Sequence, residues 1–227
     1  DKTLYPSDSV NGNTSSIAGN LVYDRRDDRF DPRDGFYGSL NTEYAGLGGD
    51  RYYLKSTGTI KYFHPIIWDF IFRFHLTGSN IAKTGSRPVP NNELFLMGGL
   101  FSLRGYDPFS IGGEPVNLSS NPDDLSEDAK KAGLAGKKIL IGGLNQVLMN
   151  AEIEFPLLKE ARIRGVIFAD VGNAFNDLSK ITGPKLYANL GWGFRWFTPI
   201  GPLRFEFGYP IVNSGASRFF FTIGPPF

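Results

Sequence analysis

At 227 residues the chain is long enough for one large domain or two small ones. Its 24 basic and 23 acidic residues nearly cancel, so charge gives no reason to expect nucleic acid as a partner, and without cysteine there are no disulfides or thiolate metal sites. The 28 glycines beside 20 phenylalanines are unusual for a soluble core of this size, yet no apolar run approaches the roughly 18 residues of a membrane-crossing helix.

No basic region and apolar core follow Asp1, so no signal peptide is expected there. Period-two alternation then predicts nine strands, near 15–26, 35–46, 51–64, 67–79, 139–155, 161–174, 185–198, 202–210 and 217–224. In 68–77, Trp68, Phe70, Phe72, Phe74 and Leu76 oppose Asp69, Arg73, His75 and Thr77. In 149–155, Met149, Ala151, Ile153 and Phe155 oppose Asn150, Glu152 and Glu154. The even positions Arg162, Arg164 and Asp170 share a face of the next strand. In 186–197, Leu186, Ala188, Leu190, Trp192, Phe194 and Trp196 oppose Tyr187, Asn189, Gly191, Gly193 and Arg195. In 203–210, Leu203, Phe205, Phe207 and Tyr209 oppose Arg204, Glu206 and Gly208.

A soluble β-sandwich alternates too. These runs are about ten residues or longer, however, and their polar face carries charges of both signs in mid-strand. That pattern reads as all-β: an antiparallel transmembrane β-barrel, apolar towards lipid and polar towards the lumen, forming one unit over 1–227. Trp68 and Trp196 fall near strand ends, where an aromatic girdle belongs.

The connections alternate in character. Those at 31–35, 64–67, 155–160 and 198–202 are short and contain proline, which fixes φ and suits tight turns. The others lie at 46–50, 80–138, 175–184 and 210–217. Short turns on one side and longer loops on the other place the proline turns in the periplasm and loop 80–138 outside. A short helix over 125–132, capped by Asp123 or Asp124 and ended by Gly133, is expected within that loop. Because barrels of this type have an even strand count, nine strands imply others before Asp1.

Within the loop, 95-FLMGGLFSLRGYDPFSIGG-113 concentrates glycine and aromatics around Arg104. Gly98, Gly99 and Gly105 permit tight turns, while Phe101, Leu103, Tyr106 and Phe109 suit packing against the inner wall of the barrel. A guanidinium carried there needs a carboxylate. Asp170 is the expected partner, with Glu154 and Glu152 behind it; pairing of Glu154 with Arg164 is the competing arrangement. His64 and His75 stand alone, no serine–histidine–acid set or phosphate loop is present, and so neither an enzyme nor a metal or other cofactor is expected.

Four segments give the chain a resemblance to the BamA family of outer-membrane assembly and translocation barrels, over roughly 15–227. They are 102-SLRGY-106 with its flanking glycines, 168-FADVGNAF-175, the final hairpin 199-PIGPLRFEFGYP-210 with 219-FFFTIGPPF-227, and the turn 24-DRRDDRFDPRDG-35. The resemblance implies the last eight or nine strands of a sixteen-stranded barrel, with POTRA domains ahead of it. It implies that Arg104, Gly105 and Tyr106 form an inward loop lock with Asp170 and Glu154, and that Phe219, Phe221, Ile223 and Phe227 form a C-terminal assembly signal. It further implies insertion of other barrels into the Gram-negative outer membrane by strand pairing at a lateral seam. The partners would be the lipid bilayer, unfolded outer-membrane clients and accessory lipoproteins. Translocation pores of the same superfamily share the loop motif, and a passive porin is the remaining alternative.

Overall fold

A computed structural model describes residues 12–113, 115–118, 120, 130–131, 133, 135–177, 186–199, 201–212 and 215–224. Its main body is one antiparallel sheet of nine strands: β1 (Ser16–Asp24), β2 (Gly35–Ala45), β3 (Tyr53–Pro65), β4 (Ile71–Lys83), β7 (Asn145–Leu158), β8 (Ile163–Phe175), β9 (Tyr187–Thr198), β10 (Gly201–Pro210) and β11 (Arg218–Ile223). Strands β5 (Val116–Asn117) and β6 (Lys138–Ile139) form a separate two-residue ladder in the long loop. Each long strand pairs with its neighbours among the long strands, so the seven inner strands carry ladders on both sides, as a lipid-facing wall requires. Among the described residues β1 pairs only with β2 and β11 only with β10, leaving an open sheet.

The alternation read from the sequence sets the two faces. Arg195, Arg204, Glu206, Glu152, Glu154 and Asp170 are buried on the face that the loop covers, whereas Leu190, Trp192, Trp196, Phe219 and Phe221 are about half exposed on the other. Rings stack along the outer face, Phe194 on Phe205 at 4.5 Å and Trp192 on Phe207 at 4.7 Å between centroids.

Several boundaries differ from expectation: β4 runs on to Lys83 rather than ending near 79, and β7 starts at Asn145 rather than near 139, where Lys138–Ile139 pair with Val116–Asn117 instead. Strand β4 begins at Ile71 rather than near 67, because Trp68 and Asp69 take left-handed conformations (φ 55° and 63°) in a tight turn, where Phe70 N–H donates to Ile67 O at 3.0 Å. Trp68 is 81% exposed in that turn. Strand β7 continues through Pro156 to Leu158, shifting register there, and Arg162 lies in the following turn at φ 53° rather than on the inner face of β8. The helix expected over 125–132 lies mostly outside the described residues.

Candidate functional site

The segment 95–113 folds back on itself before it reaches the sheet. Met97 and Ile111 exchange backbone hydrogen bonds of 2.6 and 3.0 Å, and Gly99 N–H is shared between the carbonyls of Leu103 and Tyr106. Gly98 and Gly99 make the reversal at φ 106° and 90°; a Cβ on Gly98 would overlap the carbonyl of Asp107. Met97, Leu103, Tyr106 and Ile111 are then buried against Leu148 of β7 and Ala174 of β8. Phe101 and Phe109 do not share this packing: they are 76% and 71% exposed.

The tip delivers Arg104 to the inner wall, where it is 1% exposed. Register prepares the receptor. Asn150, Asp170 and Asn189 stand side by side on β7, β8 and β9. Asp170 accepts from Arg104 Nε at 2.9 Å and Nη2 at 2.6 Å, a two-pronged fork, and from the Arg104 backbone N–H at 3.1 Å. The amides of Asn150 and Asn189 donate to the same carboxylate at 2.8 and 2.9 Å. The remaining guanidinium nitrogen, Nη1, donates to Glu152 and, at 3.3 Å, to Glu206. The Phe168 ring lies beneath the guanidinium, 3.6 Å from its carbon. Burial opposes the charge on Arg104, and Asp170, Glu152 and Glu206 more than offset it, so the group stays protonated.

Glu154, expected beside Arg104, is engaged elsewhere. Its carboxylate accepts from Arg164 and Arg195, each at 2.7 Å, and from Arg73 at 3.4 Å. The competing Glu154–Arg164 pair therefore forms. Glu206 takes the place at Arg104 that the sequence reading gave to Glu154. The signal for it was present: Arg104 has five N–H donors, and Glu206 has the inward parity of its strand. Arg195 ties the two groups together, donating to Glu152, Glu154 and Glu206.

Gly105 and Tyr106 also meet the wall. A Cβ on Gly105 would collide with Asn189, and one on Gly208 of β10 with the Arg104 carbonyl, so paired glycines let backbone lie on backbone. The Tyr106 hydroxyl lies 2.8 Å from Ala188 O and 2.6 Å from Val212 O, and its ring stands edge-on to Tyr187. Beyond it, Arg218 at the start of β11 holds Asp107 with Nε and Nη2 bonds of 2.6 and 2.7 Å. Those bonds draw the Asp107 carboxyl below the ordinary carboxylate range.

On the terminal strand, Phe219 and Phe221 pack on Phe207 and Phe205 at 4.8 and 4.9 Å, with Ile223 beyond them. Phe227 lies outside the described residues. His75 bonds Asn150 and Thr77, and His64 stacks on Tyr62. Among the described residues no group of His, Cys, Asp and Glu is arranged to hold a metal.

Against known proteins, residues 4–227 match the model of the Omp85 superfamily domain. The chain belongs to the Omp85 superfamily. Omp85 relatives include the outer membrane protein assembly factor BamA of Nitratidesulfovibrio vulgaris, 25% identical over 221 residues, 93% of this chain and 26% of that protein. BamA of Neisseria meningitidis is 26% identical over 230 residues, 86% of this chain and 26% of that protein. The sorting and assembly machinery component 50 homolog A of Xenopus laevis is 32% identical over 120 residues, 52% of this chain and 25% of that protein. The chain thus spans about a quarter of the length of these Omp85 relatives. Its fold matches the crystal structure of Haemophilus ducreyi BamA lacking POTRA domains 1–3, with a TM-score of 0.75 at 20% identity, over 92% of this chain and 42% of that one.

Proposed function

We propose that the chain is the C-terminal part of the barrel of an outer-membrane protein assembly factor, which folds and inserts other β-barrels. The observation that carries this reading is the terminal strand. β11 has six residues, against nine to fourteen in the other strands of the sheet, so a strand beside it is held by few backbone hydrogen bonds and can be exchanged for another. An unfolded client gains by pairing with such a strand, because its own N–H and C=O groups find partners as they leave water. The kinship with BamA proteins supports the same assignment and an outer-membrane location.

In this mechanism strand geometry does the work. No bond is made or broken and no cofactor takes part. The Arg104 lock holds the loop against the wall while strands exchange at the seam. The partners are the lipid bilayer, unfolded barrel clients and, by the same family resemblance, accessory assembly lipoproteins.

Because the chain contains no cysteine, Thr222→Cys on β11 gives the full-length protein a single reporter within this region. In proteoliposomes given a urea-unfolded barrel with a cysteine in its terminal strand, we expect accelerated insertion and a disulfide between the introduced thiol and that strand. Ion conductance without faster insertion, or cross-linking no better than at an outward position on β3, would refute the assignment.

A further inference from the structure

The loop tip grips more than the wall around Asp170. Four consecutive residues reach the last hairpin, β10–β11. Arg104 bonds Glu206 of β10, and its carbonyl lies over Gly208. Gly105 abuts the backbone nitrogen of Pro210. Tyr106 reaches Val212 in the connection, and Asp107 is forked by Arg218, the first residue of β11. These contacts follow the hairpin from mid-strand to its far side. β11, at six residues, is the shortest strand of the sheet, so its ladder with β10 holds it by few backbone bonds and added side-chain contacts count for more.

We propose that Tyr106 and Asp107 are positioning residues for the edge strand: they clamp the outer end of the β10–β11 hairpin and fix where β11 begins to pair. The clamp is separate from the Arg104–Asp170 fork. Its outermost contact joins two solvent-accessible side chains, 60% and 32% exposed, and can release without opening the buried cluster. Arginine is suited to this contact because its planar fork matches both carboxylate oxygens, fixing direction as well as distance. The inference rests on the proposed use of β11 as a pairing edge only in its consequence for clients; the clamp itself is a statement about strand position.

Both parts can be measured on the full-length protein in lipid nanodiscs. Asp107→Ala and Arg218→Ala should each raise amide exchange in 218–223 about two- to fivefold, the range for an exposed ion pair. Neither should change exchange in β7 or β8. The exchanged pair Asp107→Arg with Arg218→Asp should restore protection. Tyr106→Phe keeps the ring and removes the hydroxyl, and should loosen 210–212 and 215–218 in the same way. Unaltered exchange in β11 for both single variants would overturn the clamp, as would loosening that the exchanged pair fails to reverse. Client insertion is read in parallel. A loosened β11 with unchanged insertion would leave the clamp standing and count against β11 as the pairing edge.

Discussion

Replacing Arg104 with alanine removes the one cation that the described residues of the loop contribute to the buried cluster. Breaking one partner of a desolvated ion pair costs about 3–5 kcal/mol. The structure places this case near the lower end. Asp170 would keep the amides of Asn150 and Asn189, Glu152 would keep Arg195, and Glu206 would keep Arg195 and Arg204. About 3 kcal/mol corresponds to roughly a hundredfold rise in the undocked population, at a factor of ten per 1.4 kcal/mol. Asp170→Ala should release the loop to a similar extent, and the double variant should be little worse than either single one, since both remove the same contact. Glu154→Ala is the control. It strips partners from Arg73, Arg164 and Arg195 but touches nothing on Arg104, so it should weaken the wall and leave the loop docked. Amide exchange of 95–113 and limited proteolysis at exposed Phe101 report docking directly. Equal loop protection in Arg104→Ala and the parent, or loop release by Glu154→Ala as great as by Asp170→Ala, would refute the reasoning.

Gly208→Ala should undock the loop without altering any charge, because the new methyl overlaps the Arg104 carbonyl; overpacking of about 1–3 kcal/mol should appear as increased cleavage of 95–113. Phe168→Leu keeps an apolar side chain but removes the ring beneath the guanidinium, a loss of about 1–2 kcal/mol measurable as faster loop exchange. Asp107 gives a pH test. Its folded pKa is depressed, so its contribution is complete above the ordinary value of 3.8 and is lost as pH falls through the depressed one. Protection of β11 should therefore be the same at pH 7 and pH 5 and decline only below 3.8; a decline between 7 and 5 would exclude Asp107 as its source.

Strand faces were legible in the sequence wherever charge or glycine interrupted the apolar positions. In β9 and β10, Arg195, Arg204 and Glu206 mark the inner face unambiguously. The start of β4 was not legible. The run 66-IIWDFIFRF-74 is apolar through the turn as well as the strand; aspartate is among the residues that tolerate the left-handed region, but nothing in the residue type favours it at Trp68. Asp170 could be chosen as a partner for Arg104 because the two stand in motifs. The choice between Glu154 and Glu206 depended on register across three more strands. Glu206 lies opposite Gly193, whose missing side chain leaves space within the cluster, and local alternation cannot report that. Phe101 and Phe109 show the limit of composition: aromatics in a packing loop need not themselves be packed.

Apart from Arg51, the buried charges among the described residues are four guanidiniums, of Arg73, Arg104, Arg195 and Arg204, and four carboxylates, of Glu152, Glu154, Asp170 and Glu206. Such a patch is dense in charge yet neutral as a whole. An ion passing along this wall would find no unmatched counter-charge to replace its lost hydration, and a neutral solute would meet groups already bonded to one another. Three of those guanidiniums belong to the wall and one to the loop, so undocking the tip would leave behind an acidic surface. The neutrality of this wall is thus tied to the loop, and undocking would turn a charge-balanced surface into one that attracts cations.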